Sequence, residues 1–161
     1  MNEYTLQEHL RRQLRGGFRA VSKAVAELTE AQATEGARPD WRRYRWGSGL
    51  DGSVAGIVWH LALWKQNFAQ GLETGVFPPE ESIAPPAPGW QALRKWLAEG
   101  QTRLETAFEQ LPEVELAEPR EWEGQTAPLG RLLSYIIEHD FYHAGQIQLL
   151  RQLGGYPTRE D

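Results

Sequence analysis

Four histidines, His9, His60, His139 and His143, are the side chains most able to do chemistry in this chain of 161 residues. The last two close the pentapeptide His-Asp-Phe-Tyr-His. A spacing of four on a helix puts both imidazoles on one face, with Cβ atoms about 5–6 Å apart. Ile136 and Leu132 precede them at helical steps, and Gln146, Ile147 and Leu150 follow. The pair therefore continues an apolar stripe and is expected to face inward. His60 is flanked in the same way by Ile57, Leu61 and Trp64. A lone inward histidine is usually a hydrogen-bonded core residue. Three neutral imidazoles at core positions are unfavourable unless each finds a partner. One divalent cation shared by His60, His139 and His143 satisfies all three. Three histidines with an open coordination position make a catalytic metal site. His9 lies off the main stripe and reads as a surface or boundary residue.

The same pentapeptide has the spacing of His-Glu-x-x-His, the zinc protease motif, with Asp140 in the place of the base. Aspartate is one methylene shorter than glutamate and reaches a metal-bound water less well. Only 18 residues follow His143, and none is histidine, so the usual downstream ligand is missing. A protease reading is set aside.

Four periodic stretches must position these residues. The first runs from about Thr5 to Ala33, with Leu6, Leu10, Leu14, Val21, Val25 and Leu28 on one face and a gap at Gly16-Gly17. Residues 34–52 form a break whose Trp41, Tyr44 and Trp46 are expected to pack on the domain. The second helix runs from Ser53, a good N-cap, to about Glu73. Residues 76–89 then carry five of the ten prolines, which excludes a helix there and suits a crossing from one end of a bundle to the other. The third helix spans about Trp90 to Leu111 and is stopped by Pro112. Val114 and Leu116 hint at a short extended piece between Glu113 and Gln125. The fourth helix is expected from Thr126, as cap, with Pro128 in its first turn, to Leu153 before Gly154-Gly155. Helices of this length are about 30–40 Å long. Each has one apolar face, so the expected architecture is all-α, one four-helix-bundle domain over residues 1–161 with a long crossover connection.

Composition narrows the function further. Charged residues make up 24% and hydrophobic residues 40%, a globular mixture. There is no cysteine, which excludes disulfides, thiolate metal ligands and cysteine nucleophiles. The net charge of −5 disfavours general attraction to nucleic acid or anionic lipid. The first residues lack an apolar leader and no run is long enough to span a membrane, so a cytoplasmic location is expected. Arg11, Arg12, Arg15 and Arg19 read as a solvated helix face. Gln146 and Tyr142 are weak candidates for lining a pocket, and Trp64 is a core residue or a cavity wall. Asp140 and Glu138 point away from His139 on the helix and read as structural or surface residues. Arg151 reads as a surface ion pair or, less favourably, an anion contact.

Two segments carry a family resemblance. They are Ser53-Val-Ala-Gly-Ile-Val-Trp-His60-Leu-Ala and Glu138-His139-Asp-Phe-Tyr-His143-Ala-Gly145-Gln146-Ile147-Gln-Leu-Leu-Arg151. Together they resemble the DinB/YfiT-like metal-dependent proteins, across essentially the whole chain by length and helix order. The resemblance implies a four-helix bundle with crossed-over connectivity. It implies nickel or zinc held by His60, His139 and His143, and homodimers. It also implies a thiol S-transferase or a related hydrolase that uses a low-molecular-weight thiol such as bacillithiol on a small-molecule substrate, relatives also including mycothiol-dependent isomerases and glutathione-dependent enzymes. The charge and the lack of a span leave no nucleic-acid or membrane partner expected. A non-catalytic metal-binding or stress-response interaction module is the alternative, followed by a metal-free helical dimerisation protein.

Overall fold

The computed structural model describes residues 5–36 and 52–157. Four long helices dominate: α1 (Leu6–Val25), α3 (Val54–Thr74), α4 (Trp90–Glu109) and α5 (Leu129–Leu153), with a short α2 (Glu30–Thr34) after the first. Helix α1 starts in a capping box, where Thr5 and Glu8 satisfy each other's backbone N–H groups. The helix expected to reach Ala33 ends at Val25. Glu27 turns the chain at a φ of 65°, and Thr29 and Gln32 form a second capping box that starts α2. Local caps therefore override a hydrophobic period that continues across the break. The Gly16-Gly17 gap does not interrupt α1. A Cβ at Gly17 would stand 2.9 Å from the Asp140 Cβ, so the glycine allows α1 and α5 to approach there. The tryptophan-rich break, Trp41, Tyr44 and Trp46 included, lies outside the described residues.

Ser53 caps α3 through the N–H of Gly56 at 3.0 Å, as expected, and Gly75 ends the helix at a φ of 77°. The segment after Pro112 forms a 3-10 turn over Glu113–Ala117 and then strand β1 (Pro119–Trp122). Strand β1 pairs antiparallel with β2 (Gln125–Pro128). The last helix accordingly begins three residues later than expected. Thr126 pairs with Glu121 across the hairpin, and Pro128 precedes the first helical turn instead of occupying it. Thr126 has no free end to cap once its backbone is held in a strand.

Side-chain contacts set the helix directions. Trp59 meets Trp96 near one end of α3 and α4, and Glu73 meets Arg103 toward the other, so these two helices run parallel. Gly17 lies against Asp140 and Ala24 accepts from Arg151, so α1 and α5 also run parallel. The α3–α5 and α1–α4 pairs are antiparallel, as His60–His143 with Lys65–Asp140, and Gln7–Leu111 with Arg15–Glu105, require. The proline-rich segment is thus the expected crossover between two parallel neighbours. It is tied to α3 where Asn67 donates to the Pro78 carbonyl.

The core divides into two apolar clusters. One contains Val21, Ile57, Leu61, Leu97 and Ile147; the other contains Leu14, Phe68, Leu104, Leu133 and Ile137. A buried polar layer of Lys65, Gln101 and Asp140 separates them. Among the described residues no helix is long and apolar enough to cross a membrane.

Candidate metal centre

The antiparallel α3–α5 seam brings His60 to His139 and His143. Their Nε2 atoms converge: His60 lies 3.1 Å from His139, and His143 lies 2.9 Å from His139. Ligand nitrogens around one first-row cation, at about 2.0–2.1 Å from it, stand about 2.9–3.4 Å apart. The donor set therefore fits one ion. Hydrogen bonding alone does not explain the cluster. A neutral Nε2 has either one proton or one lone pair, yet that of His139 faces two other nitrogens.

Burial keeps these rings neutral. It lowers the His60 imidazole to about 3, with nearby His143 adding to the effect. Burial lowers His139 to about 2, assisted by His143, His60 and the Lys65 ammonium. Burial also lowers His143, although Gln146 opposes it. Neutral imidazole is the metal-binding form.

Imidazoles of the unfolded chain titrate near 6.5. Below that value the unfolded state binds protons that His60 and His139 in the fold refuse. The lowered values therefore cost the metal-free protein nothing above about pH 6.5 and destabilise it as the pH falls below that, by about 1.4 kcal/mol per unit for each such histidine. Urea midpoints of the metal-free protein at several pH values between roughly 7.5 and 4.5 check this; a flat profile would contradict it.

Gln146 has a definite place. Its Oε1 is 2.7 Å from His143 Nδ1, and its Nε2 donates to the Tyr142 hydroxyl at 2.9 Å. The amide orientation makes His143 Nδ1 the protonated nitrogen, which leaves the Nε2 lone pair aimed at the cluster. Such support of a ligand histidine is worth about 10–100-fold in metal affinity. Gln146→Ala should lower Ni(II) affinity by about that factor in a competitive chelator titration. An unchanged affinity would remove Gln146 from the centre.

Trp64 stacks on His139, with ring centroids 4.1 Å apart and planes 17° from parallel, and Trp122 packs edge-on against Trp64. Trp122 is held by its indole N–H donating to Asn67 at 3.0 Å. His60 and His143 are buried, whereas His139 is only part-buried. Tyr135 and Tyr142 are exposed residues on either side of His139 along α5, and the Tyr135 and His139 ring centroids lie 6.1 Å apart. Tyr142 is exposed and is not a core residue.

The remaining candidates lie elsewhere. His9 is exposed on α1, and Glu138 forms a surface pair with Arg131. Arg15 pairs with Glu105 and Glu109. Arg151 is not at the surface: it is buried and donates to the carbonyls of Ala24 and Ala26, closing the end of α1. Asp140 is buried against Lys65 at 2.7 Å. Lys65 escaped the sequence reading, although it is the one charged residue of α3 before Glu73 and could have been noticed for that.

No curated protein and no solved structure matches the chain. A family model described as the DinB superfamily matches residues 13–147.

Proposed function

The chain belongs to the DinB superfamily, and from that premise we propose that it is a metal-dependent thiol S-transferase or related hydrolase whose centre is His60, His139 and His143. The observation that carries the proposal is the convergence of three uncharged imidazole Nε2 atoms with one ring, His139, at a partly exposed edge. A site that only braced the bundle would be closed.

Nickel or zinc would be held by the three Nε2 atoms. A divalent cation supplies Lewis acidity there and makes a thiol or a water deprotonate near neutral pH. The residues of the chain do the rest. Gln146 keeps His143 in the ligating tautomer. Trp64 covers one face of His139 and excludes water from that side. The co-substrate would reach the ion from the side of the part-buried His139, where Tyr135 and Tyr142 are exposed. The chain has no cysteine, which fits a scheme in which the sulfur nucleophile arrives as a low-molecular-weight thiol. The lack of cysteine also suits a reducing cytoplasm, and we place the protein there as a homodimer acting on a small molecule.

Binding of thiol to the loaded protein tests this reading. Ni(II)- or Co(II)-loaded protein should develop a near-ultraviolet sulfur-to-metal charge-transfer band with one member of a panel of small thiols. The same thiol should be consumed when an electrophile is added, and neither signal should survive in His139→Ala. A loaded protein that binds no thiol at millimolar concentration would overturn the transferase reading while leaving the metal centre standing.

A further inference from the structure

The buried polar layer between the two apolar clusters has its own geometry. Lys65 and Asp140 are each 1% exposed. Lys65 Nζ donates to Asp140 Oδ2 at 2.7 Å and to Gln101 Oε1 at 2.8 Å. Gln101 Nε2 donates to Glu105 at 2.7 Å, and Glu105 accepts from Arg15 at 2.9 Å. This chain of bonds visits every long helix: α1, α4, α3 and α5. The Phe18 ring of α1 lies 5.7 Å from Lys65 Nζ, and Gly17 lets α1 approach Asp140.

Stability does not explain such a layer. Exchanging a buried ion pair for apolar side chains of similar volume is often neutral or stabilising. What the pair does provide is a single permitted geometry. A slip of α3 against α5 by one turn, about 5.4 Å, or a rotation by one residue, about 100°, would leave two buried charges unpaired. Apolar contacts tolerate such shifts far better, because they are non-directional. His60 precedes Lys65 by five residues on α3, and His139 is adjacent to Asp140 on α5. A shift of α3 against α5 that breaks the ion pair therefore also displaces His60 relative to His139 and His143.

We propose that Lys65 and Asp140, tied to α4 by Gln101, are positioning residues that set the offset and rotation of α3 against α5, and so make the three histidines converge. The inference rests on the metal reading of His60, His139 and His143. It assigns the layer to the shape of the centre, not to the stability of the bundle.

The test pairs Co(II) titration, followed by its visible d–d spectrum, with thermal unfolding of each variant. Lys65→Met/Asp140→Leu removes both charges at once. It should fold with an unfolding midpoint at or above that of wild type, yet lose about tenfold or more in Co(II) affinity and show an altered d–d spectrum. A folded double variant with wild-type affinity and spectrum would overturn the inference. Gln101→Leu keeps the ion pair and cuts only its tie to α4. It should move affinity and spectrum the same way by a smaller amount. If the double variant fails to fold, an unchanged Co(II) spectrum in Gln101→Leu would overturn the inference instead. Wild-type protein that binds no Co(II) would overturn the metal reading and this inference with it. Loss confined to the variants separates the two.

Discussion

Alanine at His60 or at His139 should bring bound nickel or zinc from about one equivalent per chain to background, read by inductively coupled plasma mass spectrometry on untagged protein. The expectation comes from the donor count. With three nitrogens meeting at 3.1 and 2.9 Å, each histidine supplies one third of the protein's ligands, and none of the other three-residue groupings of His, Asp and Glu among the described residues offers a substitute. Two imidazoles without the third form an ordinary weak site. Affinity should fall by at least about a hundredfold, since even supporting residues outside the ligand set cost 10–100-fold. His60→Ala is the more informative of the two. It leaves the His139–His143 pair of one helix intact, so retained metal in that variant would reduce the centre to a two-histidine site on α5. Stoichiometric metal in both variants would dismiss the centre altogether. The wild type, once loaded, should also resist unfolding more than its metal-free form, because the ion binds only the folded arrangement.

Lys65→Met alone should be the most damaging single substitution away from the ligands. It leaves the Asp140 carboxylate 1% exposed with no cation to face. Burial already pushes that carboxyl above its ordinary range, and only the Lys65 ammonium opposes the shift. Breaking a buried pair from one side costs about 3–5 kcal/mol. For a chain of this size that lowers the unfolding midpoint by roughly 10 °C. Because protonation can relieve the stranded carboxylate, the deficit should shrink as the pH is lowered toward 5. Restoring a wild-type midpoint by adding Asp140→Leu would show that the loss comes from the orphaned charge and not from lost packing. A Lys65→Met midpoint within a degree or two of wild type would mean that water reaches this layer.

Much of this was legible along the chain. Periodicity marked α3 and α4 nearly to their ends, because Ser53, Gly75, Gly89 and Pro112 are local stop and start signals that act within a turn. It overran α1, where the apolar stripe continues past Val25 but the backbone turns at Glu27. It misplaced the start of α5, where Thr126 and Pro128 suit a helix start equally well yet are claimed by a hairpin partner, Pro119–Trp122. Short strands held by pairing leave little periodic signal of their own.

The residue types and spacing by themselves determined three inward histidines on two helices, the all-α architecture and the crossover, since helical period and proline content are local properties. Only the tertiary structure decided that the three Nε2 atoms meet, that Gln146 turns back to His143 instead of to another helix, and that Arg151 closes the end of α1. It also decided that Asp140 pairs with a lysine 75 residues away. These outcomes depend on the offset and rotation of one helix against another. Each helix's own period leaves that relation open, and buried directional contacts between distant residues close it.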